Sequence, residues 1–267
     1  RSTVADDARR FFFVHVMKTG GTSLLTHLGD TFPPDAVEPD VRRAFLGEVA
    51  PPTYASVSRI RDLGPERRAR VRVYSGHYPA YVAAMVEVDE VITLLREPVD
   101  RTVSMLRQTE RNDPRKRGWP LERIYDDAIV RSMLLQDYQS KQFALTAEDV
   151  RQAADLAVRA FGPGADATVS DRPHLINLPV DGARVEAAKR VLESLSVVGI
   201  HERMPEVLDE LGTRYGWRFP VERHIRHGSS ASDGPAPPAL RARIERDNPA
   251  DVELYGWALD RWERRHR

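Results

Sequence analysis

Cysteine is absent from the 267 residues of this chain. Its absence excludes disulfide bridges, thiolate zinc sites and cysteine nucleophiles. A chain without thiols fits a reducing compartment, and we therefore expect a cytoplasmic protein. Long apolar runs are also lacking, since no stretch approaches the roughly 20 residues that span a bilayer. The opening segment RSTVADDARR has no apolar core of the kind found in signal peptides.

Net charge is the next thing that the chain lacks, because 40 basic and 40 acidic side chains cancel. Such a balance gives no overall attraction to nucleic acid or to an anionic membrane, and we expect neither as a partner. Lysine is scarce, whereas arginine, alanine and proline are abundant, which suggests a GC-rich bacterial source. Since the first residue is Arg1 and not methionine, we expect a natural chain with residues upstream.

Short apolar runs alternate with segments of helical spacing along the whole chain. Alternation of this kind predicts an α/β fold with a mostly parallel central sheet covered by helices on both faces. No internal repeat or linker divides the chain, so we expect a single domain over residues 1–267. Residues 31–56 and 226–238 are rich in proline and turn formers and are predicted to be surface loops. The predicted strands are Phe11–Val16, Val71–Tyr74, Val91–Leu95 and Ser196–Ile200, and the predicted helices cover residues 22–28, 121–160, 181–194, 204–215 and 248–264.

The strongest local signal is the sequence MKTGGTS, which lies between the first predicted strand and the first helix. Glycines allow backbone amides to approach phosphate oxygens, and the start of a helix directs positive potential at them. Lysine adds a full charge, and the hydroxyl groups add donors. The sequence therefore predicts a phosphate loop in a three-layer, P-loop-type fold. The loop residues are Lys18, Thr19, Gly20, Gly21, Thr22 and Ser23.

Two other interpretations of this segment remain. It could be a glycine turn that Thr22 or Ser23 caps, with Lys18 placed there incidentally. It could also be a loop that binds a nucleoside triphosphate. In that class, however, lysine follows the glycines and the next hydroxyl holds Mg²⁺, whereas Lys18 precedes them.

The run FVHVMKTGGTS from Phe13 resembles the 5′-phosphosulfate loop of the sulfotransferases that use 3′-phosphoadenosine 5′-phosphosulfate (PAPS), in particular the carbohydrate branch that includes the heparan sulfate 2-O-sulfotransferases. Met17 stands where that family usually has proline. The segment LLREPVDRTVSML resembles the family's 3′-phosphate motif. The resemblance implies that PAPS is the cofactor, that no metal is required, and that Arg96 and Ser104 hold the 3′-phosphate. An ion pair with a nearby carboxylate is the alternative for Arg96, and Arg101 could serve either packing or ligand contact.

Three further segments resemble parts of the same family in the same order, so the resemblance extends from Phe13 to Leu259. We assign all three a structural role. They are DYQSKQF at Asp137–Phe143, VVGIHERMPEVLDEL at Val197–Leu211 and DNPADVELYGWAL at Asp247–Leu259.

Transfer of a sulfuryl group requires a base for the acceptor hydroxyl and a cation near the departing phosphate oxygen. Lys18 is the candidate for the cation. His77 is the candidate base, because it follows a predicted strand and the resemblance places a base there. The alternatives are that His77 only caps a turn, or that a glutamate is the base. We expect His15 to be a core histidine.

The loop after residue 225 could fold over the adenosine and bring Arg226 and Gly228 close to the 3′-phosphate, or could simply be mobile. For the acceptor, the balanced charge favours a neutral sugar, a lipid or a secondary metabolite, and we expect a hydroxylated small molecule or glycan. The arginine-dense stretches at 59–72 and 107–117 are predicted to be solvated surfaces. Two competing functions stay open: a P-loop nucleotide or small-molecule kinase, and a non-catalytic module that binds nucleotide without turnover.

Overall fold

The computed structural model describes residues 9–39, 54–219 and 235–267. Its centre is a five-stranded sheet in the order β2-β3-β1-β4-β5, and every pair of neighbouring strands is parallel. Helices flank this sheet, which confirms the predicted α/β fold with a parallel sheet. The strands are β1 Phe11–Val14, β2 Val37–Glu38, β3 Val73–Gly76, β4 Glu90–Leu95 and β5 Val197–Ile200.

Among the described residues the α-helices follow the strands in the alternation that the sequence predicted. None of the helices described is both long enough and apolar enough to cross a bilayer. The helices are α1 Gly21–Thr31, α2 Val57–Arg61, α3 Pro65–Arg70, α4 Pro98–Asn112, α5 Leu121–Tyr125, α6 Ala128–Val130, α7 Tyr138–Ala144, α8 Ala147–Phe161, α9 Ala165–Asp171, α10 Gly182–Ser194, α11 Met204–Tyr215, α12 Pro238–Asp247 and α13 Pro249–Arg265.

Strand β1 occupies the middle of the sheet, and all four of its residues are buried. Its aromatic and β-branched side chains suit a strand with no solvent-facing side, because helices cover both faces of a parallel sheet. Phe11 packs edge-on against Tyr215 and Trp217, with ring centroids 5.0 and 4.8 Å away. Burial of such side chains contributes roughly 1.5–3 kcal/mol each, so β1 anchors the main core.

One prediction was wrong. Residues 31–56 were expected to form a surface loop, but they include strand β2, and Val37 and Glu38 are buried. A strand of two residues is too short to produce a pattern of alternating hydrophobicity. It is held instead by a buried carboxylate, because Glu38 pairs with Arg59 at 2.5 Å and with Arg67 at 2.8 Å. The predicted loop at 226–238 is described only from residue 235, and α12 begins at Pro238.

The strand order determines where a ligand site can form. After β1 the chain crosses to the edge of the sheet at β2, whereas after β4 it continues to the opposite edge at β5. The direction of the connections therefore changes between β1 and β4. In open α/β sheets, ligands bind at the carboxyl ends of the strands where such a change occurs.

Candidate functional site

Three of the predicted site residues follow the ends of three neighbouring strands. Lys18 comes after β1, His77 directly after β3, and Arg96 directly after β4. Val14, the last residue of β1, is in register with Gly76 of β3 and with Thr93 of β4. Segments about 20 to 80 residues apart in sequence are thus brought together at the carboxyl ends of the strands, where the direction of the connections changes.

The loop between β1 and α1 has the backbone shape of an anion-binding turn. Lys18 and Gly20 have φ angles of 70° and 89°, both in the left-handed region. A lysine in that region costs of order 1 kcal/mol or more, a strain that concentrates at functional sites. Thr19 lies between them, fully buried, and its hydroxyl donates to the carbonyl of Val16 at 2.9 Å. Thr19 can therefore offer a ligand only its backbone.

The beginning of α1 is left without a cap. Gly20 is the N-cap residue, no side chain caps the helix, and the first turn has no acidic residue. Neither Thr22 nor Ser23 fills the capping role that the alternative interpretation gave them. No described residue accepts a hydrogen bond from the amides of Gly21 or Thr22. The helix consequently presents amide donors and positive potential at the loop.

The two glycines of the loop are required by close contacts. A Cβ at Gly20 would overlap the ring of His201, and a Cβ at Gly21 would overlap the ring of His15. Gly20 is also held at a positive φ that favours glycine. The loop is therefore closely packed against two imidazoles, and this packing leaves no room for a larger residue at either glycine.

Lys18 lies close to other positively charged side chains. Burial, together with the charges of Arg111, Arg96 and Arg101, lowers the pKa of Lys18 to about 8. Within the described part of the chain no carboxylate forms an ion pair with Lys18. Partly buried like charges repel unless an anion neutralises them. The site is electrostatically prepared for an anion.

Arg96 forms a hydrogen bond with the backbone of this loop. Its Nη1 donates to the carbonyl of Lys18 at 3.2 Å. Its Nε is buried and has no hydrogen-bond partner among the described residues, and burial lowers the pKa of Arg96. Neither Glu97 nor Asp100 pairs with Arg96; Glu97 instead caps α4, and Asp100 pairs with Arg241 at 2.6 Å. The ion pair considered as an alternative for Arg96 is not formed.

The orientation of His77 follows from one hydrogen bond. Its Nδ1 lies 2.8 Å from the carbonyl of His15, which can only accept, so Nδ1 carries the proton. In the neutral imidazole, Nε2 then has a free lone pair. Burial, aided by the charge of Lys18, lowers the pKa of His77 to about 4. The ring is therefore neutral at pH 7 and can accept a proton at Nε2.

His15 is a core residue, as expected. It is 6% exposed, and its Nδ1 lies 3.1 Å from the hydroxyl of Tyr54. That hydroxyl is 2.7 Å from Oγ of Ser75 on β3. Burial, the main cause, and the neighbouring His77 hold the pKa of His15 well below its usual value. His15 therefore supports His77 and Gly21 from inside the sheet.

The remaining predicted residues divide into three cases. Ser104 is part-buried on α4, and within the described chain its hydroxyl makes no hydrogen bond. Arg101 is fully buried; its Nη2 donates to the carbonyls of Leu134 and Leu135 at 3.0 and 3.1 Å, whereas its Nε and Nη1 have no partner among the described residues, so both roles considered for it stay open. Arg226 and Gly228 lie outside the described residues.

The structure adds three residues that the sequence did not assign to the site. His201 follows β5 and covers Gly20, a position that the strand-end rule could have indicated. Gln139 forms hydrogen bonds with the backbone of Arg96. His174 is 6% exposed and lies with its ring centroid 6.3 Å from that of His77, and no pattern in the sequence links the two.

Another cleft lies at the amino end of the sheet, lined in part by Phe11, Arg72 and Trp217. None of the predicted site residues lines it. Two of its arginines have protein partners: Arg72 donates to the carbonyl of Arg9, and Arg214 to the carbonyl of Ser196. We therefore take the carboxyl ends of β1, β3 and β4 as the candidate functional site.

No protein-family model matches this chain, and no curated protein matches it significantly. Within the described residues, no group of three or more histidine, aspartate or glutamate side chains is arranged to hold a metal ion. The function is therefore inferred from the geometry at the carboxyl ends of β1, β3 and β4.

Proposed function

We propose that this protein is a PAPS-dependent sulfotransferase that acts on a hydroxyl group. The observation that supports this best is the meeting of Lys18, His77 and Arg96 at the ends of three adjacent parallel strands. These residues represent the phosphate loop, the candidate base and the second phosphate motif. Each has the protonation state or the free donor that its role demands.

The residues present fit an adenosine nucleotide with phosphates at both ends of the ribose. The uncapped start of α1 and the glycine backbone suit the 5′-phosphosulfate, with Lys18 as the charge. Arg96 has an orphaned buried Nε, which suits the 3′-phosphate. A Cβ at either loop glycine would collide with the ring of His201 or of His15, so glycine at both positions preserves the shape of the loop. PAPS, when bound, supplies the activated sulfuryl group.

The reaction is an in-line displacement at sulfur. The acceptor oxygen forms a bond to sulfur while the bond between sulfur and the bridging phosphate oxygen breaks. His77 takes the acceptor proton at Nε2, and Lys18 stabilises the charge that develops on the bridging oxygen. The charge of Lys18 helps to keep the pKa of His77 low, so a bound anion that offsets this charge raises the basicity of His77.

We further propose that the acceptor is a hydroxylated glycan or small molecule, and that the protein acts in the cytoplasm. The balanced charge and the lack of cysteine support these two proposals. The imidazoles of His15, His77 and His174, whose pKa values are lowered by burial, also provide neutral hydrogen-bonding groups, which suit an uncharged hydroxyl.

The test combines binding with turnover. Calorimetry should detect binding of the product adenosine 3′,5′-bisphosphate (PAP), and PAPS should modify one member of a panel of hydroxylated glycans and metabolites without added metal. Lys18→Met should abolish transfer and weaken PAP binding at least about tenfold, the usual scale of a lost charge-assisted contact. The matched control is Lys189→Met, since Lys189 pairs with Glu186 and Glu253 away from the loop.

Three outcomes separate the competing functions. Binding of PAP without transfer to any acceptor would favour a non-catalytic module. Magnesium-dependent consumption of ATP would favour a kinase. Absence of PAP binding in the unmodified protein would overturn the proposal altogether.

A further inference from the structure

The backbone of Arg96 is held on both sides by one side chain. The amide of Arg96 donates to Oε1 of Gln139 at 3.0 Å, and Nε2 of Gln139 donates to the carbonyl of Arg96 at 2.9 Å. Gln139 is 1% exposed. A carboxamide offers a donor and an acceptor on two separate atoms without adding charge, so it can bond the amide and the carbonyl of one residue together. A carboxylate in this place would repel any phosphate that Arg96 binds.

Gln139 is itself fixed by two helices that cap each other. Asp251 of α13 accepts from the amides of Gln139 and Ser140 at 3.1 and 2.7 Å, so it caps α7. In return, Asp137 at the start of α7 accepts from the amide of Asp251 at 3.0 Å. Asn248 completes the junction by accepting from the amide of Asp137 at 2.7 Å. The carboxamide that holds Arg96 thus stands on a buried joint in which a carboxylate of each helix accepts hydrogen bonds from the backbone of the other.

We propose that Gln139 is a positioning residue that sets the direction of Arg96 and so provides selectivity for a 3′-phosphorylated adenosine nucleotide. The proposal rests on the proposed function. Arg96 follows β4 directly, and its guanidinium reaches back to the carbonyl of Lys18. With the peptide of Arg96 clamped, the unpartnered Nε is held at a fixed place beside the phosphate loop. Two segments that were assigned only a structural role from the sequence, DYQSKQF and DNPADVELYGWAL, thereby fix the position of Arg96.

The test compares two nucleotides that differ only in the 3′-phosphate, PAP and adenosine 5′-monophosphate (AMP). Gln139→Met keeps most of the buried volume and removes both hydrogen bonds. We expect its affinity for PAP to fall about tenfold, the worth of roughly one well-placed charged contact, and its affinity for AMP to stay within about twofold. The matched control is Gln142→Met: Gln142 lies on the same helix, is equally buried, and donates to the carbonyl of His174 instead.

Gln139→Glu is a second variant of nearly identical shape, in case the methionine disturbs folding. It should lose PAP affinity more strongly than AMP affinity, because its carboxylate would stand beside Arg96 and repel the 3′-phosphate. An unchanged ratio of PAP to AMP affinity in both variants would overturn the positioning role, as would an equal change in Gln142→Met. If the unmodified protein binds no PAP, the proposed function fails first, a result visible before any variant is measured.

Discussion

Two single residues at the site, Lys18 and His77, adopt states that fit the proposed function. Lys18 has a left-handed backbone, is partly buried, and is surrounded by arginines. His77 is locked in the tautomer that leaves Nε2 free. A lysine kept only for stability would be expected to reach solvent or a carboxylate, so repulsion at Lys18 indicates that the loop is built for an anion.

The role of His77 can be isolated by one substitution. In His77→Asn, the amide of asparagine can replace the Nδ1 donor to the carbonyl of His15, but no group replaces Nε2. We expect the rate of sulfuryl transfer to fall by about 10²- to 10⁴-fold, the usual worth of a general base, while PAP affinity stays within about twofold. The measurement is transfer from PAPS to the acceptor found in the panel, beside calorimetry with PAP.

His266→Asn, near the exposed end of α13, is the control and should behave like the unmodified protein. Full activity in His77→Asn would remove His77 as the base and would leave the phosphate site intact. A variant that lost PAP binding together with transfer would instead show that His77 maintains the loop.

At the scale of elements, the joint between α7 and α13 is the feature most open to test. Asp251 is 1% exposed and receives two amides of α7. Asp251→Ala should lower the free energy of unfolding by about 2 to 4 kcal/mol, because it removes a cap and leaves buried amides without partners. Asp251→Asn should lose less, since its remaining oxygen can still accept. The measurement is urea unfolding at pH 7.

Asp260 provides the comparison on the same helix. It pairs with Arg264 on the exposed side of α13, and Asp260→Ala should change stability by less than about 0.5 kcal/mol. Equal effects at the two positions would mean that the reciprocal capping contributes nothing beyond a surface charge.

The elements that could be predicted from sequence are those with a local cause. β1, β4 and β5 are mainly apolar runs with aromatic or β-branched residues, and Gly20 is favoured by the positive φ of its own backbone. Strand β2 was missed because its two residues depend on the partners of Glu38, 20 to 30 positions away. Gln139 and Asp251 were assigned to structure for the same reason, since their contacts with Arg96 and with α7 exist only once the chain is folded.

At the scale of the whole molecule, the parallel sheet collects polar groups at one edge and buries them there. His15, His77 and His174 come from three separate segments and meet within a cluster of rings. Burial is the main cause that lowers the pKa of each of them. Burial also raises the pKa of Asp137 to about 7. A raised carboxyl pKa favours the folded chain at low pH, whereas the lowered histidine pKa values favour it at high pH. The pH dependence of the whole chain is therefore a difference between opposed groups, and a variant must isolate one of them.

His174 is the best residue for this purpose, because burial lowers its pKa from 6.5 to about 3. Between these values the unfolded chain binds more protons than the folded chain. The free energy of unfolding therefore decreases as the pH falls through this window. Going from pH 7 to pH 5, the unmodified protein should lose about 2 kcal/mol more unfolding free energy than His174→Gln. Urea unfolding at the two pH values measures this difference. If His174→Gln and the unmodified protein lost stability in parallel, His174 would have to be protonated in the folded chain, and the cluster could not be neutral as its burial requires.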